Sequence, residues 1–525
     1  MKIKEAFRFT YCASLTIQLP RNFITLGMTS ILKITIGFLI SIFLLLPKYV
    51  FGQESYKPNI LIILADDLGY GDLGVYNPNS LVPTPNLDQL ASEGIRLTDA
   101  YCPVAVCSPT RYALMTGRYP FRSWKPNSVM ANYEPSLIEA ELITVPEMLQ
   151  EAGYTTAGFG KWHLGTTFPT TDGNKPNGYG KFRADDNGAN LALNQPVSDG
   201  PLDHGFDDWL GFSCASECWI LENKKVMGYL KHDYYTVEAA SGTEQLQSFT
   251  MQEYLPFITE RTIDYLERQD KNSEPFFLYY APYVPHIPLA VNEPFIGSTQ
   301  AGLYGDYVHE LDFYVGKLLK TLDRLELTNN TIVLFASDNG SHFTIASNEI
   351  AMETARNQPF AVDTTSLSGP VHYPNAPLRG TKRDVWEGGV RTPLIARWPD
   401  HFPEGTASGE LFSLNDVLAT LAALVDYELP TSSAQDSYNL LPVLQGQRQN
   451  IRESVVVKAS KNLYGLRQGK WKYIQVEKNQ PPQLYDLSVD VAETNNVYAS
   501  HPEVVKELEQ QLKQLLNSDR TAPRL

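Results

Sequence analysis

The sequence predicts an α/β fold with a large, mostly parallel central sheet flanked by helices over residues 53–450. A small C-terminal α+β subdomain with an antiparallel sheet is predicted over 451–525. Apolar runs at 59–65, 275–281 and 331–336 have the length and composition of strands buried on both faces, as in the centre of a parallel sheet. Segments with helix start and stop residues lie between these runs. After the last helix the pattern changes to short strands separated by turns.

The composition limits the class of function. The chain of 525 residues is 43% hydrophobic, which is enough for a large core. It carries 43 lysine and arginine residues against 59 aspartate and glutamate residues, a formal net charge of −16. No broad cationic surface can form from this balance, so a nucleic-acid partner is excluded and an anionic substrate requires a local basic pocket.

Residues 1–52 have the features of a signal or targeting segment. Lys33 precedes an apolar run at 34–46 that is too short for a typical membrane span, and residues 50–52 offer a cleavage site. We therefore predict export to the periplasm or the medium, with no stable membrane anchor. A retained anchor is the alternative, and a start at Met28 would give a signal of ordinary length.

The first apolar run ends directly at Asp66 and Asp67. Two adjacent carboxylates at the carboxyl end of a buried strand suit a hard cation, and a solvated turn is the alternative interpretation. A compact helix is predicted next, with Thr84 as its N-cap and Gly94 as its stop.

The segment Cys107-Ser108-Pro109-Thr110-Arg111 predicts a reactive group at the start of a short helix. Pro109 suits the first helical turn, and Gly117 is a natural stop. Arg111 lies on the same helical face as Cys107, and a helix N-terminus carries positive partial charge, so this position favours an anionic substrate. A small, buried and inert thiol is the alternative for Cys107.

A further helix and strand lead to another group of polar residues. Thr144 and Glu147 form the pattern of a capping box, and a strand is predicted at 154–159. Lys161 and His163 follow it and alternate, so they are expected to share one side of an extended segment. A packed structural histidine is the alternative for His163.

Residues 166–250 are rich in glycine, asparagine and proline and predict a loop-rich insertion that walls or covers the site. Within it, Cys214 and Cys218 form either a local disulfide or two buried thiols. Aromatic residues in the insertion are either sugar-stacking faces or core, and they are Trp209, Trp219, Tyr229, Tyr234 and Tyr235.

The later strands end in polar residues as well. The run at 275–281 is followed by rigid prolines that direct His286 toward the same edge of the sheet. A helix with core spacing is predicted from about 305 to 325, and the strand after it ends at Asp338 and Asn339. Lys382 lies on a glycine-containing turn, although each of these charges alone could be a solvated one. Four strands and a helix are predicted in the C-terminal subdomain, at 454–457, 464–467, 471–474, 483–487 and 502–516.

The Cys-Ser-Pro-Thr-Arg segment at 107–111, with Thr116-Gly117-Arg118 after it, resembles the signature of the type I sulfatases, in the alkaline-phosphatase-like superfamily. The resemblance covers residues 59–485 in family order and leans toward the arylsulfatase A and N-acetylgalactosamine-6-sulfatase-like branch. It implies a mixed, mostly parallel sheet. It also implies that a formylglycine-generating or sulfatase-maturating enzyme converts Cys107 to Cα-formylglycine.

The resemblance also implies a ligand set and a mechanism. One Ca²⁺ ion is expected at Asp66, Asp67, the modified Cys107, Asp338 and Asn339. Catalytic contacts to sulfate are expected from Cys107, Arg111, Lys161, His163, His286 and Lys382. Formylglycine hydrates to a gem-diol that attacks sulfur and gives a covalent sulfate. His286, or else Lys382, protonates the leaving oxygen, and His163 deprotonates the remaining hydroxyl.

The predicted activity is therefore hydrolysis of sulfate esters, most specifically those of a sulfated polysaccharide or oligosaccharide. An algal glycan such as ulvan and a glycosaminoglycan are both open as substrates. Two other functions stay open: a phosphomonoester or phosphonate hydrolase of the same superfamily, and a catalytically inactive glycan-binding homologue. Every site residue that the resemblance requires is present, which disfavours the inactive homologue.

Overall fold

A sheet of eleven strands forms the centre of the structure, which is a computed structural model. It describes residues 57–524 apart from 183–185, 215–216, 232–242, 270–273, 350–364, 366 and 476–480. The predicted signal segment 1–52 and the aromatic residues Tyr234 and Tyr235 lie outside the described residues. The chain from Lys57 onward clusters as one compact unit, and the predicted boundary at residue 450 stays a prediction.

The strands of the central sheet are β1 (Asn59–Ala65), β2 (Ile95–Leu97), β4 (Thr155–Lys161), β5 (Asp208–Phe212), β6 (Trp219–Glu222), β7 (Lys225–Lys231), β8 (Gln247–Thr250), β9 (Phe276–Ala281), β10 (Thr331–Ser337), β11 (Leu394–Arg397) and β12 (Thr406–Ser408). Their order in the sheet is β12-β2-β11-β10-β1-β9-β4-β5-β6-β7-β8, and most neighbouring strands run parallel. The predicted mixed, mostly parallel α/β class is confirmed. Two short strands, β3 (Ala100–Tyr101) and β13 (Phe412–Ser413), pair separately.

Strand β1 shows why the centre of the sheet is apolar throughout. All of its residues are buried. Ile60, Ile62 and Leu64 pack into one core, whereas Leu61 and Ile63 pack into a second core. Side chains alternate between the faces of a strand, so a continuous apolar run is needed when helices cover both faces.

The helices follow their boundary signals closely. The Thr144 hydroxyl accepts from the Glu147 amide, and the Thr144 amide donates in turn to the Glu147 carboxylate, which completes the predicted capping box. The helix after Thr84 begins at Pro85 as predicted, but the Thr84 hydroxyl donates to Asp88 and accepts from the Gly74 amide instead of from an amide of the helix. The helices are α1 (Pro85–Ser92), α2 (Cys107–Thr116), α3 (Val145–Glu151), α4 (Met251–Glu267), α5 (Gly302–Arg324), α6 (Glu387–Val390), α7 (Val417–Leu424), α8 (Leu441–Leu444) and α9 (Pro502–Asn517).

The prediction for residues 166–250 is only partly right. The first half of this region is irregular, but the second half contributes β5 to β8, which extend the sheet beyond β4. Gly211 allows this extension, because a Cβ atom at this position would lie 1.7 Å from the carbonyl oxygen of Gly160 on the neighbouring strand. Glycine-rich composition thus reflects close strand packing here as well as loops.

The C-terminal region forms a separate antiparallel sheet, as predicted. Its strands are β14 (Ser454–Lys458), β15 (Tyr464–Gln468), β16 (Trp471–Ile474) and β17 (Gln483–Asp486). They pair in sequence order, and α9 packs against β15 and β16. Among the described residues, the structure contains no helix with the length and apolar character needed to cross a membrane.

Candidate active site

The carboxyl ends of adjacent strands bring the predicted site residues together. Asp66 and Asp67 follow β1, Asp338 follows β10, and Lys161 ends β4 two strands away. The backbone amide of Asp66 donates to the Val284 carbonyl at 3.0 Å, which ties the end of β1 to the loop after β9. Residues from distant parts of the chain therefore meet at one edge of the sheet.

Carboxylates and cations alternate in this cluster. Lys161 Nζ lies 2.5 Å from Asp66 Oδ2, and Lys382 Nζ lies 2.6 Å from Asp67 Oδ1. Arg111 bonds Asp338 through Nη2 at 2.9 Å and also lies 3.4 Å from Asp66. Burial by itself raises the pKa of Asp66, but Lys161, Arg111 and the other cations hold it below its usual range. These pairs compensate charges that would otherwise be costly to bury.

Cys107 is the first residue of α2, which confirms the predicted helix. Gly117 ends the helix in the left-handed conformation with φ 63°, as predicted for a stop residue. Cys107 Sγ stands where formylglycine would carry its oxygens, and it lies 3.5 Å from Asp66 Oδ1 and 3.3 Å from Lys382 Nζ. Burial raises the pKa of the Cys107 thiol to about 12, so an unmodified thiol would stay protonated and react poorly.

A cavity of about 410 Å³ opens above Cys107. Its polar floor is formed by Asp67, Cys107, His163, His286 and Lys382. Its mouth is lined by Phe182, Ile287, His342, Arg383 and Ser460 among other residues. The cavity thus combines a deep cluster of charges with a partly apolar entrance.

His286 faces the carboxylate cluster. Its Nδ1 lies 2.6 Å from the Ile287 carbonyl, and its Nε2 lies 3.7 Å from Asp67 Oδ2. A carbonyl oxygen only accepts, so Nδ1 donates and Nε2 of the neutral ring points toward the site without a proton. Burial and the nearby Lys382 lower the pKa of His286 to about 3, whereas Lys382 keeps its proton.

His163 reaches the site by a different route from the predicted one. Its backbone is left-handed, with φ 59°, so Lys161 and His163 do not share one side of an extended segment. Its Nε2 lies 3.2 Å from the Met130 carbonyl and therefore donates. Its Nδ1 is buried and has no hydrogen-bond partner among the described residues. Burial, with Lys161 and Arg111 nearby, lowers the pKa of His163, so a neutral ring presents Nδ1 as an acceptor.

The donor set fits a divalent cation. One atom each from Asp66, Asp67, Cys107 and His286 lies within 4.8 Å of the others. Asn339 donates through Nδ2 to Asp67 Oδ1 at 2.7 Å, and its Oδ1 is a buried acceptor without a hydrogen-bond partner among the described residues. An orphaned amide oxygen beside carboxylates is the arrangement that an oxygen-preferring cation would complete.

Three of the aromatic residues named for the insertion follow the core interpretation rather than the sugar-stacking one. Trp209 and Trp219 are fully buried, and Tyr229 is also buried, so all three belong to the core. Cys214 and Cys218 are buried thiols, and Cys214 Sγ lies 3.5 Å from the Met130 carbonyl.

Sequence reasoning missed most of the cavity mouth. Arg383 directly follows Lys382 and could have been found from that position. No sequence pattern indicated that Phe182 or Ser460 lines the cavity, because Phe182 lies in an irregular segment and Ser460 lies in the C-terminal region. Their place at the entrance depends on the tertiary fold.

Comparisons with known proteins agree with this architecture. The sequence model of the family described as Sulfatase matches residues 58–427, and that described as N-sulphoglucosamine sulphohydrolase, C-terminal, matches 380–520. The N-acetylgalactosamine-6-O-sulfatase of Bacteroides thetaiotaomicron is 33% identical over 514 residues, 88% of this chain and 94% of that protein. Human arylsulfatase A is 34% identical over 485 residues, 87% of each chain.

Solved structures share the fold. A sulfatase structure from work on the metabolism of multiple glycosaminoglycans by Bacteroides thetaiotaomicron is 30% identical, with a TM-score of 0.73. It covers 88% of this chain and 100% of its own. The phosphonate monoester hydrolase of Agrobacterium radiobacter, 19% identical with a TM-score of 0.57 over 87% of this chain and 95% of its own, shares the fold alone.

The sheet, the charged cavity at its edge and these relatives define a sulfuric ester hydrolase with an alkaline-phosphatase-like fold. Sulfatases of this kind generally use formylglycine and a metal ion. The chain belongs to the sulfatase family.

Proposed function

We propose that this protein is an exported carbohydrate sulfatase that uses formylglycine at position 107 and one Ca²⁺ ion. The observation that carries the proposal is the site around Cys107, where a helix N-terminus meets buried cations and carboxylates at the floor of a cavity. The apolar run at 34–46 supports export.

The proposed Ca²⁺ ligands are oxygen atoms of Asp66, Asp67, Asp338, Asn339 and the modified residue 107. All-oxygen ligation suits Ca²⁺ and disfavours zinc. Even without the ion, the positive charges of Arg111, Lys161 and Lys382 balance the negative charges of the carboxylates with which they pair. When bound, the ion would add positive charge that favours a sulfate ester and withdraws electrons from the sulfuryl oxygens.

Formylglycine, as its hydrate, would supply the nucleophile and later release sulfate by elimination. We assign His163 as the base for the remaining hydroxyl, because its Nδ1 is a buried acceptor with no hydrogen-bond partner among the described residues. Arg111 and Lys161 would hold the sulfate while their backbone and carboxylate contacts keep them in place.

His286 is the proposed proton donor to the leaving oxygen, and Lys382 is the second candidate. Because the pKa of His286 is low, its ring is neutral before substrate binds. A bound sulfate anion must raise this pKa before the ring can carry a second proton and donate it. Lys382 carries a proton already, and its Nζ lies 3.3 Å from Cys107 Sγ. Variants H286Q and K382A separate the two, because loss of the true donor slows esters with poor leaving groups most.

The proposed substrate is a sulfated polysaccharide or its oligosaccharides. The relatives named for N-acetylgalactosamine 6-sulfate and the glycosaminoglycan setting of the solved structure support a glycosaminoglycan first, with ulvan as a further candidate. The polar residues at the cavity mouth, among them Arg383 and Ser460, support a sugar rather than a bare aryl ring. A phosphate or phosphonate ester and glycan binding without turnover are the alternatives.

The test combines mass spectrometry with a substrate panel. Protein made with a maturating enzyme is digested, and the peptide that contains residue 107 is expected to carry an aldehyde. Sulfate release is then measured on glycosaminoglycan fragments, ulvan, fucans, galactans, an aryl sulfate and an aryl phosphate. C107A is expected to fold and lose turnover, whereas C102A, which removes another buried thiol nearby, is expected to keep it.

Three results would contradict parts of the proposal. Full turnover with an unmodified thiol would refute the formylglycine mechanism. Faster release of phosphate than of sulfate would favour the phosphohydrolase. Efficient aryl sulfate hydrolysis with every glycan left intact would refute the carbohydrate substrate.

A further inference from the structure

Arg383 adopts a backbone conformation that an arginine rarely takes. The Asp384 amide donates to the Thr381 carbonyl at 2.9 Å, so residues 381–384 form a tight turn. Arg383 is the third residue of this turn. Arg383 has φ 80°, and this position of such a turn favours glycine or asparagine. A bulky residue held in the left-handed region is strained and points to a function for its side chain.

The surrounding backbone fixes this conformation. The Arg383 amide donates to the Ala105 carbonyl at 2.8 Å, two residues before Cys107. The Ser460 amide donates to the Arg383 carbonyl at 3.2 Å from the C-terminal region. Arg383 is thereby held between the helix that carries the nucleophile position and the loop after β14.

The Arg383 guanidinium has no partner within the described part of the chain. It makes no hydrogen bond or ion pair there, and the residue is exposed at the mouth of the cavity. Phe182 and Ile287 lie at the same mouth, and Phe182 is 44% exposed. A free guanidinium and an exposed aromatic ring at the same cavity mouth can together bind an acidic sugar, since the ring stacks on the sugar face and the guanidinium binds an anion.

We propose that Arg383 binds an acidic substituent on the sugar next to the sulfated residue, with Phe182 as the stacking surface. The inference rests on the proposed carbohydrate sulfatase function and narrows it to acidic glycans, in which a uronic acid carboxylate or a second sulfate lies beside the scissile ester. The sulfate that is hydrolysed occupies the floor of the cavity, and the second anion occupies its mouth. Arg383 is therefore a specificity residue and takes no part in bond cleavage.

The experiment uses three disaccharides that begin with N-acetylgalactosamine 6-sulfate. The neighbouring sugar is glucuronic acid, its carboxyl-reduced form glucose, or glucose bearing a sulfate. The mature enzyme is expected to prefer at least one acidic disaccharide over the reduced one by about tenfold or more in kcat/KM, through KM. The carboxylate and sulfate arms distinguish the two sources of the anion.

The R383G variant is the decisive test, because glycine relieves the strained turn while it removes the guanidinium. Its thermal midpoint is expected to equal or exceed that of the parent protein. R383G is expected to lose the preference, so that the ratio of kcat/KM between the acidic and the reduced disaccharide falls to about one. R383K is expected to keep part of the preference. K461A, which removes a nearby exposed cation outside the cavity lining, is expected to keep the full preference.

Two outcomes overturn the inference alone. One is a mature enzyme that hydrolyses the reduced disaccharide as well as both acidic ones. The other is an R383G variant that keeps the preference. If the mature enzyme releases sulfate from none of these sugars, the proposed carbohydrate function fails and the inference fails with it.

Discussion

The pair Lys472–Glu387 offers a direct test of how the C-terminal sheet is attached. Lys472 Nζ on β16 lies 2.6 Å from Glu387 Oε1 at the start of α6, and both side chains are fully buried. Glu387 also accepts from the Tyr101 hydroxyl at 2.8 Å and pairs with Arg391 at 3.3 Å. Burial alone would raise the pKa of Glu387, but Lys472 and the neighbouring arginines hold it at about 2.

The expected effect of K472M follows from this burial. Removing one partner leaves Glu387 charged and less compensated in the interior, which costs about 3–5 kcal/mol. Lys470 on the same hairpin supplies a matched control, because its Nζ also lies 2.6 Å from a carboxylate, that of Asp486, while the lysine is 52% exposed. K470M is expected to cost about 1 kcal/mol or less, since solvent screens exposed pairs.

Urea unfolding measures the free energy of unfolding of K472M and of K470M. The dependence of that free energy on urea concentration is compared with that of the parent protein. The double variant K472M/E387Q is expected to recover part of the loss, because it removes the uncompensated charge as well. A K472M cost of about 1 kcal/mol, equal to that of K470M, would refute the claim that this pair anchors the sheet.

Three further predictions concern the site and its surroundings. N339L is expected to weaken Ca²⁺ binding by about tenfold or more because it removes the orphaned Oδ1, whereas N339D keeps an oxygen ligand. Calorimetric titration with Ca²⁺ measures the affinity of both variants, and an unchanged affinity in N339L would exclude Asn339 as a ligand. G340A is expected to lower the free energy of unfolding by about 1–3 kcal/mol, because its Cβ would lie 1.8 Å from the Gly388 carbonyl oxygen. The control G409A is expected to be neutral, because its Cβ would have its nearest contact at 3.7 Å. Equal unfolding midpoints for the two variants would contradict the expected cost of G340A. Burial raises the pKa of Glu217 from 4.5 to about 7, so the stability that Glu217 contributes is complete below pH 4.5 and is lost as the pH rises through about 7. E217Q is therefore expected to be more stable relative to the parent at pH 8 than at pH 5, and a difference independent of pH would show that Glu217 does not titrate in this range.

The sequence was informative where local chemistry determines the structure. The run at 59–65 is β1 without a change of boundary, because a strand buried on both faces has no alternative to a continuous apolar segment. The polar residues after β1, β4 and β10 come together because parallel strands end at the same edge of a sheet. The Thr144 capping box is likewise local and was predictable from four residues.

The remaining features depend on contacts that distant segments make. Strands β5 to β8 were hidden in a glycine-rich segment, because the pairing of Gly211 with Gly160 is set by the neighbouring strand. The left-handed backbone of His163 and the alignment of Arg383 with Ser460 are also tertiary features. The burial of Trp209 and Trp219 follows from those same strands, so an aromatic count could not separate core from sugar-binding surface.

The attachment of Ser460 to Arg383 has a consequence for the exchange of parts between relatives. The loop after β14 contributes Ser460 to the cavity entrance, and Lys458 Nζ at the end of β14 donates to the Pro126 carbonyl at 2.7 Å. A chimera that joins the C-terminal sheet of one sulfatase to the catalytic part of another would thus combine Arg383 and Ser460 from different proteins at the cavity entrance. The turn at Arg383 and the C-terminal sheet therefore need to come from the same protein, and one family model, over residues 380–520, spans both.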